Sequence, residues 1–194
     1  MTAYIRDYLW GIDIDGIDRR QLVEDCYGAE QYLKSILPSI VGTGSYSTFT
    51  TAHFLRYNLL TFPSVELVQL YKMIRQTTTP YLHDDSYMIQ CWLNVYRKGE
   101  NIKWHKHWPE GLGVYHGFYC VQTEEVPSHT LYRVPGYEEV MVDSRDGLLV
   151  FGKSEGDTHM SSVWEGVEPR ITIAFDIIPT KHCRKDFTLN RIPF

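Results

Sequence analysis

The chain has 194 residues, of which 43% are hydrophobic and 22% charged, and this composition predicts one globular domain over residues 1–194. The formal net charge is −5 and no run of Lys or Arg stands out, which argues against a nucleic-acid-binding surface. The N-terminus lacks the apolar run of a signal peptide, and no stretch approaches the roughly 18 apolar residues of a membrane-spanning helix. We therefore expect a cytoplasmic protein with no membrane partner.

Four cysteines, at positions 26, 91, 120 and 183, form no CxxC pair. A chain of this length needs no disulfide bonds to fold, so we expect reduced thiols. Cys91 and Cys120 lie within apolar strand patterns and are predicted to be core residues.

The N-terminal part, residues 1–85, is predicted to be a mixed, largely helical layer. Helix signals follow Asp18 and the Pro63-Ser64 pair, and the intervening stretch is rich in Gly, Ser and Thr. The predicted elements are a helix over Asp18–Leu37, a loop over Gly42–Thr51, and a helix between Ser64 and Pro80.

From Tyr87 the chain changes to short runs of strand-forming residues separated by turn residues. This spacing favours a mainly β fold, a double-stranded β-helix or jelly roll, with the N-terminal helices packed on it. We expect the jelly-roll core over residues 86–180 and a C-terminal tail over 181–194. The predicted strands are Tyr87–Tyr96, Ile102–His107, Val114–Gln122, His129–Val134, Val140–Val142, Gly147–Gly152, Met160–Trp164 and Ile171–Ile177.

Histidines provide the sharpest chemical signal in the C-terminal half. His105 and His107 stand two residues apart, so in a strand both imidazoles project from the same face and suit one divalent metal. Two unrelated surface histidines are the alternative. His159 is a third candidate ligand, because a jelly roll brings distant strands together at one mouth.

Arg170 begins the last predicted strand, and period-two alternation places it on one face with Thr172 and Ala174. A guanidinium and a hydroxyl on an otherwise apolar face suit a buried carboxylate ligand. The alternative places Arg170 at the surface or in an ion pair with Glu165 or Glu168.

In this order the residues resemble the 2-oxoglutarate/Fe(II)-dependent oxygenase superfamily, whose pattern is HxD/E, a distal His, and an Arg about ten residues later followed by x-Ser/Thr. The surrounding sequence is similar to a branch of uncharacterised members with an HxH pattern. The resemblance covers residues 88–178. It rests on Trp92-Leu-Asn94, Gly99, His105-Lys-His107, Gly117-Phe-Tyr119, Gly147-Leu-Leu-Val-Phe151, His159 and Arg170-x-Thr172.

The resemblance implies an oxidoreductase that couples decarboxylation of 2-oxoglutarate to oxidation, most simply hydroxylation, of a substrate by O₂. It implies Fe(II) bound by His105, His107 and His159, with 2-oxoglutarate held by Arg170 and Thr172. Further neighbours of the co-substrate would be Asn94, Tyr96 and Tyr119.

One residue departs from the superfamily pattern: His107 stands where most members have a carboxylate. Three neutral imidazoles leave Fe(II) with a net charge of +2 instead of +1. Asp157 and Glu110 are the nearby carboxylates that would compensate, either as direct ligands or behind the ligands.

Two other functions fit parts of the pattern. A cupin-type metal protein would use Glu110 as a fourth ligand and need no 2-oxoglutarate. A non-catalytic jelly-roll binding module would explain the departure at His107.

The substrate is not encoded in any motif, and a small molecule or a protein side chain fits equally well. Specificity is expected in the loops at Gly42–Thr51 and Pro109–Val114. Trp104, Trp108 and Trp164 are candidates to line the substrate mouth, with at least one of them in the core.

Overall fold

The computed structural model describes residues 3–6, 8–36, 48–50, 57–83, 86–183 and 190–194. The predicted loop at 42–51 falls mostly outside these residues. Neither of the helices within them is long and apolar enough to span a membrane.

The two predicted helices are present. Helix α1 spans Arg19–Ile36, and the Asp18 carboxylate accepts a hydrogen bond from the backbone N–H of Gln21 at 3.1 Å. Helix α2 spans Val65–Thr78, and the Ser64 hydroxyl caps it by accepting from the N–H of Leu67 at 3.1 Å. Side-chain oxygens at these positions satisfy N–H groups that the first helical turn leaves without partners.

Antiparallel strands form two sheets. The strands are β1 (Ala3–Arg6), β2 (Leu9–Asp13), β3 (Phe49–Thr50), β4 (Tyr87–Tyr96), β5 (Tyr115–Gln122), β6 (His129–Arg133), β7 (Val140–Asp143), β8 (Leu148–Lys153), β9 (Thr158–Ser161), β10 (Arg170–Pro179) and β11 (Ile192–Pro193). The larger sheet has the order β1-β2-β8-β5-β10-β4-β11, with β3 also paired to β4, and the smaller sheet has the order β7-β6-β9.

The predicted jelly-roll fold with N-terminal helices is confirmed, but some predicted boundaries differ. Residues 102–107 form no regular strand and make only bridge contacts with β9, and β9 begins two residues before the predicted Met160. The larger sheet also recruits β1, β2 and β3 from the predicted helical layer and β11 from the predicted tail. Pairing partners come from distant parts of the chain, which local patterns do not reveal.

The larger sheet is buried on both faces. One face packs against α1 and α2 through residues that include Leu22, Leu70, Leu149 and Phe175. The opposite face meets the smaller sheet through a second cluster that includes Phe118, Tyr132 and Val150. Cys91 and Cys120 are buried, as predicted, and none of the four cysteines is in a disulfide.

Candidate metal centre and carboxylate pocket

A cavity of about 660 Å³ lies between the two sheets. Its floor is the inner face of β4, β10 and β5, where antiparallel pairing sets side chains opposite one another in rows. Asp176 lies opposite Gln90 and His116 at one end, and Arg170 lies opposite Tyr96 at the other. The middle rows pair Thr172 with Asn94 and Cys120, and Ala174 with Trp92 and Phe118.

Three imidazoles meet in this cavity. His105 lies directly opposite His159 on β9, and the two residues exchange both backbone hydrogen bonds, at 3.0 and 2.9 Å. His107, two residues further on, also lines the cavity, with its ring centroid 5.1 Å from that of His105 and 4.9 Å from that of His159. Ring nitrogens of the three histidines lie within 4.8 Å of one another, which suits one metal ion.

The second nitrogen of each imidazole is held from behind. His105 Nδ1 donates to the carbonyl of Lys103 at 2.8 Å, and His107 Nδ1 lies 3.0 Å from Asp176 Oδ1. His159 Nδ1 lies 3.3 Å from Asp157 Oδ2. Because all three partners are acceptors, each Nδ1 carries the hydrogen and each Nε2 carries the lone pair that a metal requires.

Asp176 is a buried carboxylate with three donors. Besides His107, it accepts from Trp108 Nε1 at 2.8 Å and from Gln90 Nε2 at 3.0 Å. Burial favours the neutral acid, but nearby His107 and the hydrogen bonds from His107 and Trp108 outweigh it and lower the pKa of Asp176. Asp176 therefore places a negative charge directly behind His107.

Asp157 repeats this arrangement behind His159. Its Oδ1 lies 3.3 Å from Nε2 of His116, so one carboxylate is shared between two imidazoles. Burial opposes ionisation, but the hydrogen bonds from His116 and His159 hold the pKa of Asp157 well below its usual range. The same contact raises the pKa of His116 despite its burial.

Two of the three imidazoles, those of His105 and His159, are held in the neutral form that metal binding requires. Burial, reinforced by His107, lowers the pKa of His105 to about 4. Burial also lowers the pKa of His159 well below its usual value, although the hydrogen bond to Asp157 opposes this shift.

Arg170 is at the opposite end of the cavity floor and is only 1% exposed. Its guanidinium lies over the ring of Tyr96, 4.9 Å from the centroid, and its Nε and Nη1 have no hydrogen-bond partner among the described residues. In that part of the chain it forms no ion pair with Glu165, Glu168 or another carboxylate, and it is not at the surface. Asn94 Nδ2 donates to the Thr172 hydroxyl at 3.3 Å, and Asn94 Oδ1 is also left without a partner there.

The structure brings only some of the predicted aromatic residues to the cavity. Tyr119, predicted as a co-substrate neighbour, is not brought to the cavity: it lies opposite Ile173 and Leu149 and packs in the core toward the helices. Trp164 is fully buried, and Trp104 packs under the guanidinium of Arg133 at 3.9 Å. Trp108 does line the cavity.

Neither predicted carboxylate joins the triad. Glu110 is exposed and belongs to no group of potential metal ligands in the described residues. Asp157 belongs to a second group with His116 and His159, in which its hydrogen bonds to both histidines already engage its oxygens.

Three residues of the cavity were not predicted from the sequence: Asp176, His116 and Gln90. A signal existed for Asp176, because period two places it on the same strand face as Arg170 and Thr172. Likewise Gln90 shares the face of Asn94. His116 had no comparable signal, because the inward face of β5 depends on its pairing with β10.

No protein-family model matches the chain. No curated protein is similar to it in sequence. Many solved structures resemble it over most of its length, and SnoK, AviO1 and vCPH are three of them. SnoK, a non-heme α-ketoglutarate-dependent carbocyclase from nogalamycin biosynthesis, has a TM-score of 0.63 and 12% identity, covering 88% of this chain and 79% of SnoK.

AviO1 from Streptomyces viridochromogenes Tue57 has a TM-score of 0.62 and 14% identity, covering 93% of each chain. The viral collagen prolyl hydroxylase vCPH from Paramecium Bursaria Chlorella virus-1, solved as its 2OG complex, has a TM-score of 0.57 and 13% identity, with 89% of this chain and 97% of vCPH covered. At such low identity the likeness is one of fold. The chain thus has the jelly-roll fold of solved 2-oxoglutarate/Fe(II) oxygenases, with three clustered histidines inside it.

Proposed function

We propose that this protein is a 2-oxoglutarate- and Fe(II)-dependent oxygenase. His105, His107 and His159 would bind the metal, and Arg170 with Thr172 would bind the distal carboxylate of 2-oxoglutarate. The observation that carries the proposal is the buried guanidinium of Arg170, which faces the same cavity as the triad without a carboxylate partner among the described residues.

A buried, unpaired guanidinium is costly, so a site that keeps one is suited to an anionic ligand. The two nitrogens without partners, Nε and Nη1, offer donors to a carboxylate. Thr172 projects from the same face two residues along β10, and Asn94 holds its hydroxyl. These three side chains form a polar pocket between Tyr96 and the apolar rows nearer the triad.

The residues present fit a divalent metal. Three imidazoles would supply the ligands, and Asp176 and Asp157 supply negative charge directly behind two of them. These carboxylates raise the basicity of the imidazoles and partly replace the charge that the superfamily's carboxylate ligand provides. When bound, Fe(II) supplies the activation of O₂ that oxidises the substrate, coupled to decarboxylation of 2-oxoglutarate.

The protein's own contribution is to position the co-substrate and to exclude water from the site. Arg170 and Thr172 would fix one end of the co-substrate, and the triad would receive the other. Trp92 packs 5.2 Å from His107, ring centroid to ring centroid, and shields one side of the site. Oxidation would therefore take place in a cavity between the two sheets, beside an aromatic side chain.

The cupin alternative loses support because Glu110 is exposed and apart from the triad. A binding module remains the alternative to catalysis, and one pair of measurements separates the three functions. The first is the thermal stability of the metal-free protein with Mn²⁺, with 2-oxoglutarate and with both. The second is conversion of 2-oxoglutarate to succinate with Fe(II) under air.

We expect 2-oxoglutarate to raise the melting temperature only when metal is present, and succinate to accumulate slowly without substrate. Arg170→Lys should weaken the 2-oxoglutarate effect and leave the metal effect unchanged. Arg145→Gln is the matched control, because Arg145 is exposed and pairs with Asp13 outside the cavity. Stabilisation by metal with no response to 2-oxoglutarate would overturn the proposal in favour of a metal protein of another type.

A further inference from the structure

A second arginine reaches the cavity from the C-terminal segment. Strand β11 pairs with the start of β4, with Ile192 opposite Ile89, and this pairing sets Arg191 beside Gln90. Arg191 lines the same cavity as the triad. The proposed function assigns it no role.

Arg191 is held in position but is not neutralised by the described residues. Its Nε donates to Gln90 Oε1 at 3.2 Å, and Nε2 of Gln90 in turn donates to Asp176 Oδ2 at 3.0 Å. The guanidinium lies 5.9 Å from the Trp108 ring centroid. Its Nη1 is buried and lacks a hydrogen-bond partner, and no carboxylate lies within ion-pairing distance in the described part of the chain.

Arg191 and Arg170 serve opposite ends of the cavity. Arg191 contacts the row of Gln90 and Asp176, six residues along β10 from the row of Arg170. The proposed function assigns one carboxylate of 2-oxoglutarate to Arg170 and the other to the metal, so neither is assigned to Arg191.

A second cationic side chain lies near the Arg191 end. Lys106 adjoins His107 and also lines the cavity. The buried acid there, Asp176, is already engaged by His107, Trp108 and Gln90. This concentration of positive charge in a protein of net charge −5 is a local feature of the site.

We propose that Arg191 recognises the substrate that the enzyme oxidises. This substrate is a small molecule carrying a carboxylate or phosphate next to an apolar body. The inference rests on the proposed function for the identity of the site. Arg191 supplies the anion contact through Nη1, while its Nε stays on Gln90. The rings of Trp92 and Trp108 receive the apolar body beside His107, which places it next to the metal ligands.

The test uses ligand binding in place of turnover. Protein loaded with Ni²⁺ and saturated with 2-oxoglutarate is titrated by calorimetry with phenylacetate, with phenyl phosphate and with neutral phenylacetamide. We expect at least one anion to bind at least about tenfold more tightly than phenylacetamide, as a charge-assisted hydrogen bond requires. The anion that binds more tightly identifies the carboxylate or the phosphate as the preferred group.

Arg191→Gln should abolish this anion preference while leaving stabilisation by 2-oxoglutarate unchanged. Arg191→Lys, which keeps the charge, should retain part of it and guards against a folding defect in the first variant. Arg145→Gln should behave as the wild type. Arg170→Lys should give the reverse pattern, with weaker 2-oxoglutarate binding and an intact anion preference.

The outcomes separate the two proposals. Equal binding of anions and phenylacetamide, or an anion preference that survives in Arg191→Gln, overturns the role of Arg191. A failure of 2-oxoglutarate to stabilise the Ni²⁺ form overturns the proposed function instead, and the titrations are then read on the metal-loaded protein alone.

Discussion

Asp176 Oδ1 lies 3.0 Å from Nδ1 of His107, so a buried carboxylate lies directly behind one of the three clustered histidines. The superfamily that the sequence resembles has a carboxylate at position 107. In this chain the negative charge lies behind the proposed ligand, on Asp176. The imidazole transmits it to the metal position, because a hydrogen-bonded carboxylate makes the ring a stronger donor.

Asp176→Asn should weaken metal binding by about 10- to 100-fold, the usual effect of losing such a partner. The amide removes the charge, and its NH₂ group competes with the Nδ1–H tautomer that His107 needs for coordination. Calorimetric titration with Mn²⁺ measures the change. Asp143→Asn, at an exposed position on β7, is the control, and equal affinities for the two variants would contradict the role of Asp176.

His107→Asp restores the superfamily ligand but sets two carboxylates face to face. We expect the single variant to bind metal more weakly than the wild type, because Asp176 opposes a second buried negative charge. Adding Asp176→Asn should then recover affinity. A double-mutant cycle on Mn²⁺ affinity tests this, and simple additivity of the two losses would count against direct coupling.

Arg170→Met tests whether the buried guanidinium is kept for a ligand. With no carboxylate partner in the described residues, its removal should leave the free energy of unfolding of the metal-free protein unchanged or raise it by about 1 kcal/mol. Stabilisation by 2-oxoglutarate should disappear. Urea denaturation with and without ligands measures both, and a loss of about 3 kcal/mol in the metal-free protein would indicate a structural role.

Gly117→Ala should unfold the sheet locally or cost at least about 3 kcal/mol. A Cβ at this position would come within 2.2 Å of the Val150 carbonyl oxygen and 2.7 Å of the Phe175 ring. Gly136→Ala is the matched control: nothing lies within 4 Å of its Cβ, and only the strain of its φ of +83° opposes the change, at about 1 kcal/mol. Similar losses of unfolding free energy for the two variants in urea denaturation would contradict the close approach of β8 and Phe175 to Gly117.

Much of the fold and the candidate site was predictable from local pattern. Period-two runs indicated most strands of the jelly roll, and the caps at Asp18 and Ser64 indicated the helices. Residues two apart on one strand share a face, which grouped Arg170 with Thr172. The same spacing nominated His105 and His107, which meet in the cavity although residues 102–107 form no regular strand. The superfamily pattern added His159.

Only the tertiary structure decided which side chains meet. His105 faces His159 because two distant segments pair in one register, and a shift by one residue would turn His159 away. The same dependence on pairing sends Tyr119 to the helices while bringing Asp176 and His116 to the cavity. Arg191 reaches the site because β11 pairs with β4 across more than half the chain, and no local pattern encodes so long-range a contact.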